Sequence, residues 1–271
     1  MTGLLARARD RLALRRGALH ERGLQEEFQR QIGRPELDRW FTERHGHAVL
    51  HGPLAGLSYP PRAARRVHHL VAKLLGAYEA EIAEVVAAQI ERRPPVFVDV
   101  GAADGYYAAG IARASPETEV HAYEIDPVAR RVLRATARAN GATVNLHGPA
   151  NAHRLAGHRL DGAFVLSDCE GAELDVLAGE AIPALAGATL LVELHPCGDA
   201  GGGGGDAAGD TGPPLRERFA ATHTAREIEP ARRDPDAYPE LDDAPPHLRE
   251  QAVDELRFGQ TRAWLLLEPR A

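Results

Sequence analysis

Cysteine is nearly absent: Cys169 and Cys197 are the two in 271 residues, too few for a disulfide scaffold or a four-thiolate zinc site. No apolar run approaches the roughly 20 residues needed to span a bilayer, and no block of basic side chains occurs. With 39 acidic against 32 basic residues the formal charge is −7, which argues against a dedicated nucleic-acid binder. Residues 1–7 lack an apolar core of secretory type. The expectation is therefore a cytoplasmic protein with neither membrane nor nucleic acid among its partners. What is present is ordinary for a globular chain, 44 % hydrophobic and 26 % charged residues. The length suits one large domain, or one domain with an appendage. Such a chain buries roughly three quarters of its unfolded surface and needs no covalent staples.

Hydrophobic spacing divides the chain. Residues 3–45 are rich in Ala, Arg, Leu and Glu, and Leu5, Leu12 and Leu19 fall seven apart on one helical stripe. That stripe packs either on its own domain or against a second copy in a homodimer; it is too short for a coiled coil. Residues 46–62 read as a loop. A second helix is expected over 63–90, where Val67, Leu70, Leu74, Tyr78, Ile82 and Val85 recur at three- and four-residue steps.

At Pro94-Pro95 the pattern changes. Val96-Phe97-Val98-Asp99-Val100 is a short apolar run ending in glycine, the form of a buried parallel strand. Further strands are expected at 119–124, 143–146, 163–167, 189–194, 224–229 and 262–268. Helices are expected at 106–114, 127–140, from 172, and at 215–222. This alternation predicts an α/β fold, a Rossmann-like doubly wound sheet; seven strands are expected, with the closing one, 262–268, antiparallel. The domain would span 63–271, with residues 1–62 as a helical extension or cap. Residues 198–214 are Gly-rich and expected to be a flexible loop. Residues 230–260, a Pro/Asp-rich excursion and a short helix, form an insertion expected on the substrate side.

The most informative stretch is Val98 to Tyr106, a strand running into Gly101 and Gly105 and then into a helix. Glycine lets backbone approach a ligand, and a helix N-terminus offers unpaired N–H groups. Glu124 ends the next strand, where a carboxylate can accept both hydroxyls of a ribose. A dinucleotide fingerprint wants G-x-G-x-x-G, and here the spacing is Gly101-x-x-x-Gly105 with no Walker lysine. Asp99 and Asp104 would also repel a pyrophosphate, so a nicotinamide oxidoreductase is disfavoured. A cationic, zwitterionic ligand suits the acidic loop better.

Asp99-Val100-Gly101-Ala102-Ala103-Asp104-Gly105 with Glu124-Ile125-Asp126 resembles the class I S-adenosylmethionine-dependent methyltransferases. Ser167-Asp168-Cys169-Glu170-Gly171-Ala172-Glu173, followed by Leu191 to His195, is similar to the FkbM-like branch, with Cys169 at a position more often aliphatic there. The resemblance covers about residues 70–195. It implies S-adenosylmethionine as cofactor, with Gly101, Ala103 and Gly105 along its methionine part, Asp99 near the ammonium, Glu124 on the ribose and Ile125 on adenine. Asn151 is the candidate for the adenine edge. Lys73 to Glu79, including Tyr78, either closes over the cofactor or forms a plain amphipathic helix.

Asp168, Glu193 and His195 end neighbouring strands, where an acceptor should lie. They can remove a proton from a hydroxyl during transfer, or ligate a divalent metal, the less favoured reading. Asp168 could instead touch only the cofactor, and Glu170 and Glu173 could simply cap the next helix. The activity implied is O-methylation of a small molecule in specialised metabolism. The alternatives are N- or C-methylation on the same fold and a non-catalytic nucleoside-binding partner subunit. His45, His47 and His51 offer a weaker metal candidate. His68, His69 and His121 read as structural or surface residues.

Overall fold

The computed structural model describes residues 34–195, 210–254 and 263–270. The Leu5–Leu12–Leu19 stripe, Cys197 and Gly201 to Gly205 lie outside the described residues. Seven strands form one sheet: β1 (Val96–Val100), β2 (Glu119–Tyr123), β3 (Asn145–His147), β4 (Phe164–Ser167), β5 (Thr189–Glu193), β6 (His223–Ile228) and β7 (Trp264–Pro269). Their order is β3-β2-β1-β4-β5-β7-β6. Strands β1 to β5 pair in parallel, while β7 lies antiparallel between β5 and β6. This is the expected Rossmann-like sheet with an antiparallel last strand.

Alternation along the strands sorts the core into two faces. Phe97, Val120, Ala122, Phe164, Leu166, Leu191 and Leu266 belong to one apolar cluster. Their strand neighbours Val96, Val98, Val100, Tyr123, Val165, Leu190 and Val192 belong to the other. The Phe97 and Phe164 rings stack across β1 and β4, with centroids 5.2 Å apart. The first face is covered by α1 (Arg34–His45), α2 (Pro61–Ala64), α3 (Leu70–Leu75), α4 (Ala83–Arg92), α5 (Tyr106–Ala114), α6 (Pro127–Ala139) and, from the 230–254 excursion, α11 (Pro246–Val253). The second is covered by α7 (Ala152–Ala156), α8 (Glu173–Val176), α9 (Ala181–Ala184) and α10 (Gly212–Phe219). Helices on both faces are what right-handed crossovers require.

Two expectations need correction. The helix expected over 63–90 is broken into α2, α3, a 3₁₀ turn at Ala80–Ile82 and α4. His69, Gly76 and Glu79 adopt left-handed backbone angles between these pieces. At Gly76 a Cβ would sit 2.2 Å from the His51 carbonyl oxygen, so the chain must turn there despite its apolar periodicity. The loop expected to run to 214 instead ends by Asp210, whose side chain accepts the Gly212 N–H at 2.7 Å. The Thr211 N–H then bonds the His195 carbonyl at 2.9 Å, tying the start of α10 to the end of β5.

All six residues of α3 are buried, and Lys73 among them extends its ammonium to Asp104 on the loop after β1. Tyr59 donates to the other oxygen of Asp104 at 3.0 Å. Lys73 Nζ also lies 4.6 Å from the centre of the Tyr78 ring. Most of segment 73–79 is therefore packed into the core, with Gly76 and Tyr78 half-buried. The excursion reaches the same layer: Arg233 donates to the Ala77 carbonyl at 2.7 Å and pairs with Glu81 at 2.6 Å. Because both members of the Lys73–Asp104 pair are buried, Lys73→Met should cost about 3–5 kcal/mol of unfolding free energy by stranding the carboxylate. Denaturant titration should show that loss largely recovered in the Lys73→Met, Asp104→Asn double variant.

Candidate active site

Side chains at the carboxyl ends of β1, β2, β4 and β5 form two adjoining groups. The first surrounds the loop after β1. Gly101 (φ +89°) and Gly105 (φ +88°) both need the left-handed region. A Cβ on Gly101 would lie 1.6 Å from the Asp168 carbonyl oxygen. The absent side chain thus also serves the approach of the chain leaving β4. Gly105 starts α5 against Leu133. Ala103, between them, also has positive φ (43°); its N–H donates to Glu124 Oε2 at 2.8 Å. The other Glu124 oxygen accepts the Asp126 N–H at 2.6 Å. Glu124 is buried, yet its neighbour Ile125 is 60 % exposed, the one large hydrophobic so exposed among the described residues.

Asp99 is buried on the first face, and its Oδ2 has no hydrogen-bond partner. Burial, with the charges of Glu124 and Asp104 nearby, pushes its carboxyl up to about 8 against the pull of the Ala108 backbone and Lys73. Asp104 is a different case. Lys73 pairs with its carboxylate, while its charge still raises Asp99. Asn151 is exposed and caps α7, its side-chain oxygen accepting the Arg154 N–H at 2.9 Å. Tyr78 packs on the His69 ring at 5.8 Å and edge-on to Tyr106 at 5.6 Å.

The second group lies where β4 and β5 end, and alternation places it on the same face as Asp99. His195 Nε2 is 3.2 Å from Glu193, 3.4 Å from Glu170 and 3.6 Å from Asp168. Its Nδ1 is 2.9 Å from Glu173, which is wholly buried. The same Glu173 oxygen accepts the N–H groups of Cys169 (3.1 Å) and Gly171 (3.3 Å), closing the turn after β4. Burial alone would push Glu173 up; its contact with His195 holds it below the usual carboxylate value. Burial alone would lower His195, but Glu170, Glu173 and Glu193 together raise it to about 12. Asp168 is pushed well up by burial and then by Glu193 and Glu170. The surrounding carboxylates thus favour the charged form of His195 over the neutral ring.

Asp168, Glu193 and His195 also present one ligand atom each within 4.8 Å of the others, a set that could hold a divalent cation. Glu79 adds to the acidity near Asp168 and accepts the Tyr107 hydroxyl at 2.6 Å. Sequence reasoning missed Glu79 and Tyr107, because only the break in the helix at Glu79 (φ 48°) turns it here. It also underrated Glu173, which orients His195. The His45, His47 and His51 trio does not meet: His51 pairs with Glu240 at 2.9 Å, while His45 packs on Phe41 at 4.7 Å.

No family model and no curated protein matches the chain. Among solved structures it is similar to a putative O-methyltransferase from Klebsiella pneumoniae, with 14 % identity over 78 % of this chain and 86 % of that one, at a TM-score of 0.48. It is also similar to the O-methyltransferase TomG from Streptomyces achromogenes, involved in tomaymycin synthesis and solved with SAM. That match has 11 % identity over 87 % and 96 % of the two chains, at a TM-score of 0.48. A third is the O-methyltransferase from Bacillus cereus in complex with SAH, with 11 % identity over 77 % and 86 %, at 0.43. At these values the likeness adds nothing to the fold already described, and the functional reading rests on this chain's own residues.

Proposed function

We propose that this chain is a class I S-adenosylmethionine-dependent methyltransferase of the FkbM-like branch, acting on a hydroxyl of a small molecule. One observation carries the reading. A cradle of adenosine type, made by the Gly101 loop, Asp99, Glu124 and Ile125, adjoins an acid–base cluster across the ends of neighbouring strands. The unpartnered Oδ2 of buried Asp99 fits the ammonium of S-adenosylmethionine, while the phosphates of a nicotinamide dinucleotide would be a poor partner for it. The cofactor supplies an activated methyl carbon.

The chain's residues do the rest. Glu124 accepts the ribose hydroxyls on its carboxylate oxygens, which the Ala103 and Asp126 amides hold in place. Ile125 offers apolar surface to adenine, and Asn151 and Tyr78 remain candidates for its surroundings. Glu193 takes up the acceptor's proton, and Asp168 and His195, packed beside it, fix its position. The layer formed by residues 34–92 and 230–254 covers that face of the sheet and excludes water, so the collinear arrangement needed for displacement is kept. A specific observation also favours a metal-assisted version: the three ligand atoms of Asp168, Glu193 and His195 already converge. In that version chelators abolish turnover and magnesium or manganese restores it.

Calorimetric titration should show S-adenosylhomocysteine binding and no NAD binding, and labelled methyl should pass to a small molecule of a cell extract. Glu124→Ala should weaken S-adenosylhomocysteine at least tenfold, since two charge-assisted hydrogen bonds of about 1.5–3 kcal/mol each are lost. Glu124→Gln, whose one amide oxygen can still accept from one of the two backbone N–H groups, should also bind weakly. Unchanged affinity in both would show that the adenosine site lies elsewhere.

Asp99 predicts a pH dependence with a definite sign. In the free protein its carboxyl is protonated below about 8, and receiving an ammonium requires the ionised form. Binding therefore releases a proton, and affinity should rise about tenfold per pH unit as pH climbs towards 8. That slope should vanish in Asp99→Asn. For the acceptor side, Glu193→Gln should lower kcat roughly a hundredfold or more while leaving S-adenosylhomocysteine affinity within a few-fold.

A further inference from the structure

A second convergence of ligand side chains lies on the opposite face of the sheet. His121 in β2, His147 at the end of β3 and His158 beyond α7 each place one ring nitrogen within 4.8 Å of the others. His121 Nδ1 is 3.0 Å from His147 Nε2, and the His121 and His158 ring centroids are 4.0 Å apart. The Tyr123 hydroxyl meets His158 Nε2 at 2.6 Å. From the geometry we infer that these three histidines form a site for a borderline divalent transition metal, zinc foremost, with the Tyr123 oxygen or a water as fourth ligand.

Several features agree. Three imidazoles with no carboxylate among them select zinc, copper or nickel over magnesium or calcium. Zinc–nitrogen bonds of about 2.0–2.1 Å in a tetrahedron put ligand nitrogens about 3.4 Å apart, so the His121–His147 pair needs to open only slightly. The second nitrogen of His121 is already engaged, with Nε2 3.1 Å from Glu119 Oε1. A carboxylate on the far nitrogen is the usual device for orienting a metal-bound imidazole. The rings come from three separate segments, so a bound ion would staple the three-residue edge strand β3 to β2 and to the connection before β4. His147 is also the residue whose carbonyl receives the Glu124 N–H at 3.5 Å. None of this depends on the methyltransferase reading.

The test uses the full chain without an affinity tag, dialysed against zinc alone and, separately, against cobalt alone. One zinc per chain should be retained, cobalt should give the intense visible bands of a four-coordinate ion, and the thermal midpoint should rise on loading. His147→Gln and His158→Gln should each lower zinc affinity at least a hundredfold. Glu119→Gln, at an exposed position that folding does not need, should lower it roughly tenfold. The Asp168→Asn, Glu193→Gln double variant should retain its zinc. The proposal is overturned if the wild-type chain keeps no zinc, if the cobalt spectrum is the weak one of a six-coordinate ion, or if the histidine variants bind zinc as well as wild type. It is equally overturned if the zinc is lost with Asp168 and Glu193.

Discussion

The seating of the Asp168 carbonyl against the α-carbon of Gly101 sets the geometry of both proposed half-sites. The Asp168 N–H bonds the Val100 carbonyl at 2.9 Å, extending the β1–β4 pairing by one residue and pressing the turn after β4 onto the loop after β1. Any side chain at Gly101 would force them apart. The loop after β1 and the turn after β4 are thus one packed unit. A shift of either moves the Asp99 carboxylate relative to the Asp168–Glu193 pair, and transfer between bound groups is sensitive to displacements of that size.

Charge is distributed around that unit in two distinct ways. At Asp104 the fold supplies a buried counter-ion, Lys73, and the group is structural. Around His195 it gathers Asp168, Glu170, Glu173 and Glu193 about a single imidazole. Crowded like charges are costly unless protons or cations are shared, and burial with Glu193 and Glu170 pushes the Asp168 carboxyl well up. An arrangement so poor for stability is what a site for proton transfer or cation binding would need.

Much of this was legible in the sequence. The run from Val96 to Val100, the strand–helix alternation and the apolar 264–267 stretch gave the sheet and its antiparallel last strand. Period-two alternation already placed Glu193 and His195 on one side. What the pattern could not carry was backbone angle. Val67, Leu70, Leu74 and Tyr78 keep helical spacing through a region that the left-handed residues His69, Gly76 and Glu79 cut into pieces, and burial on one face does not require a continuous helix. Pairings between distant segments were equally hidden. Nothing near Lys73 announces Asp104, and nothing links His158 to His121 and His147, although the latter two belong to neighbouring strands. Glycine at position 101 stood out for ligand approach, while its contact with the Asp168 carbonyl joins segments too far apart in sequence to be read there.

The two faces of the sheet also differ in how they were assembled along the chain. The face bearing Asp99, Asp168, Glu193 and His195 is walled in part by residues 34–92 and 230–254, which precede β1 or interrupt the path from β6 to β7. The opposite face is walled by α7 to α10, the short links between successive strands. Lengthening or replacing the first kind of wall leaves strand register untouched, while altering the second disturbs the crossovers themselves. Divergence among descendants of such a chain is therefore channelled: the outer wall can change its outline wherever its buried ties, such as Lys73 to Asp104, are kept, and the scaffold beneath it stays inherited.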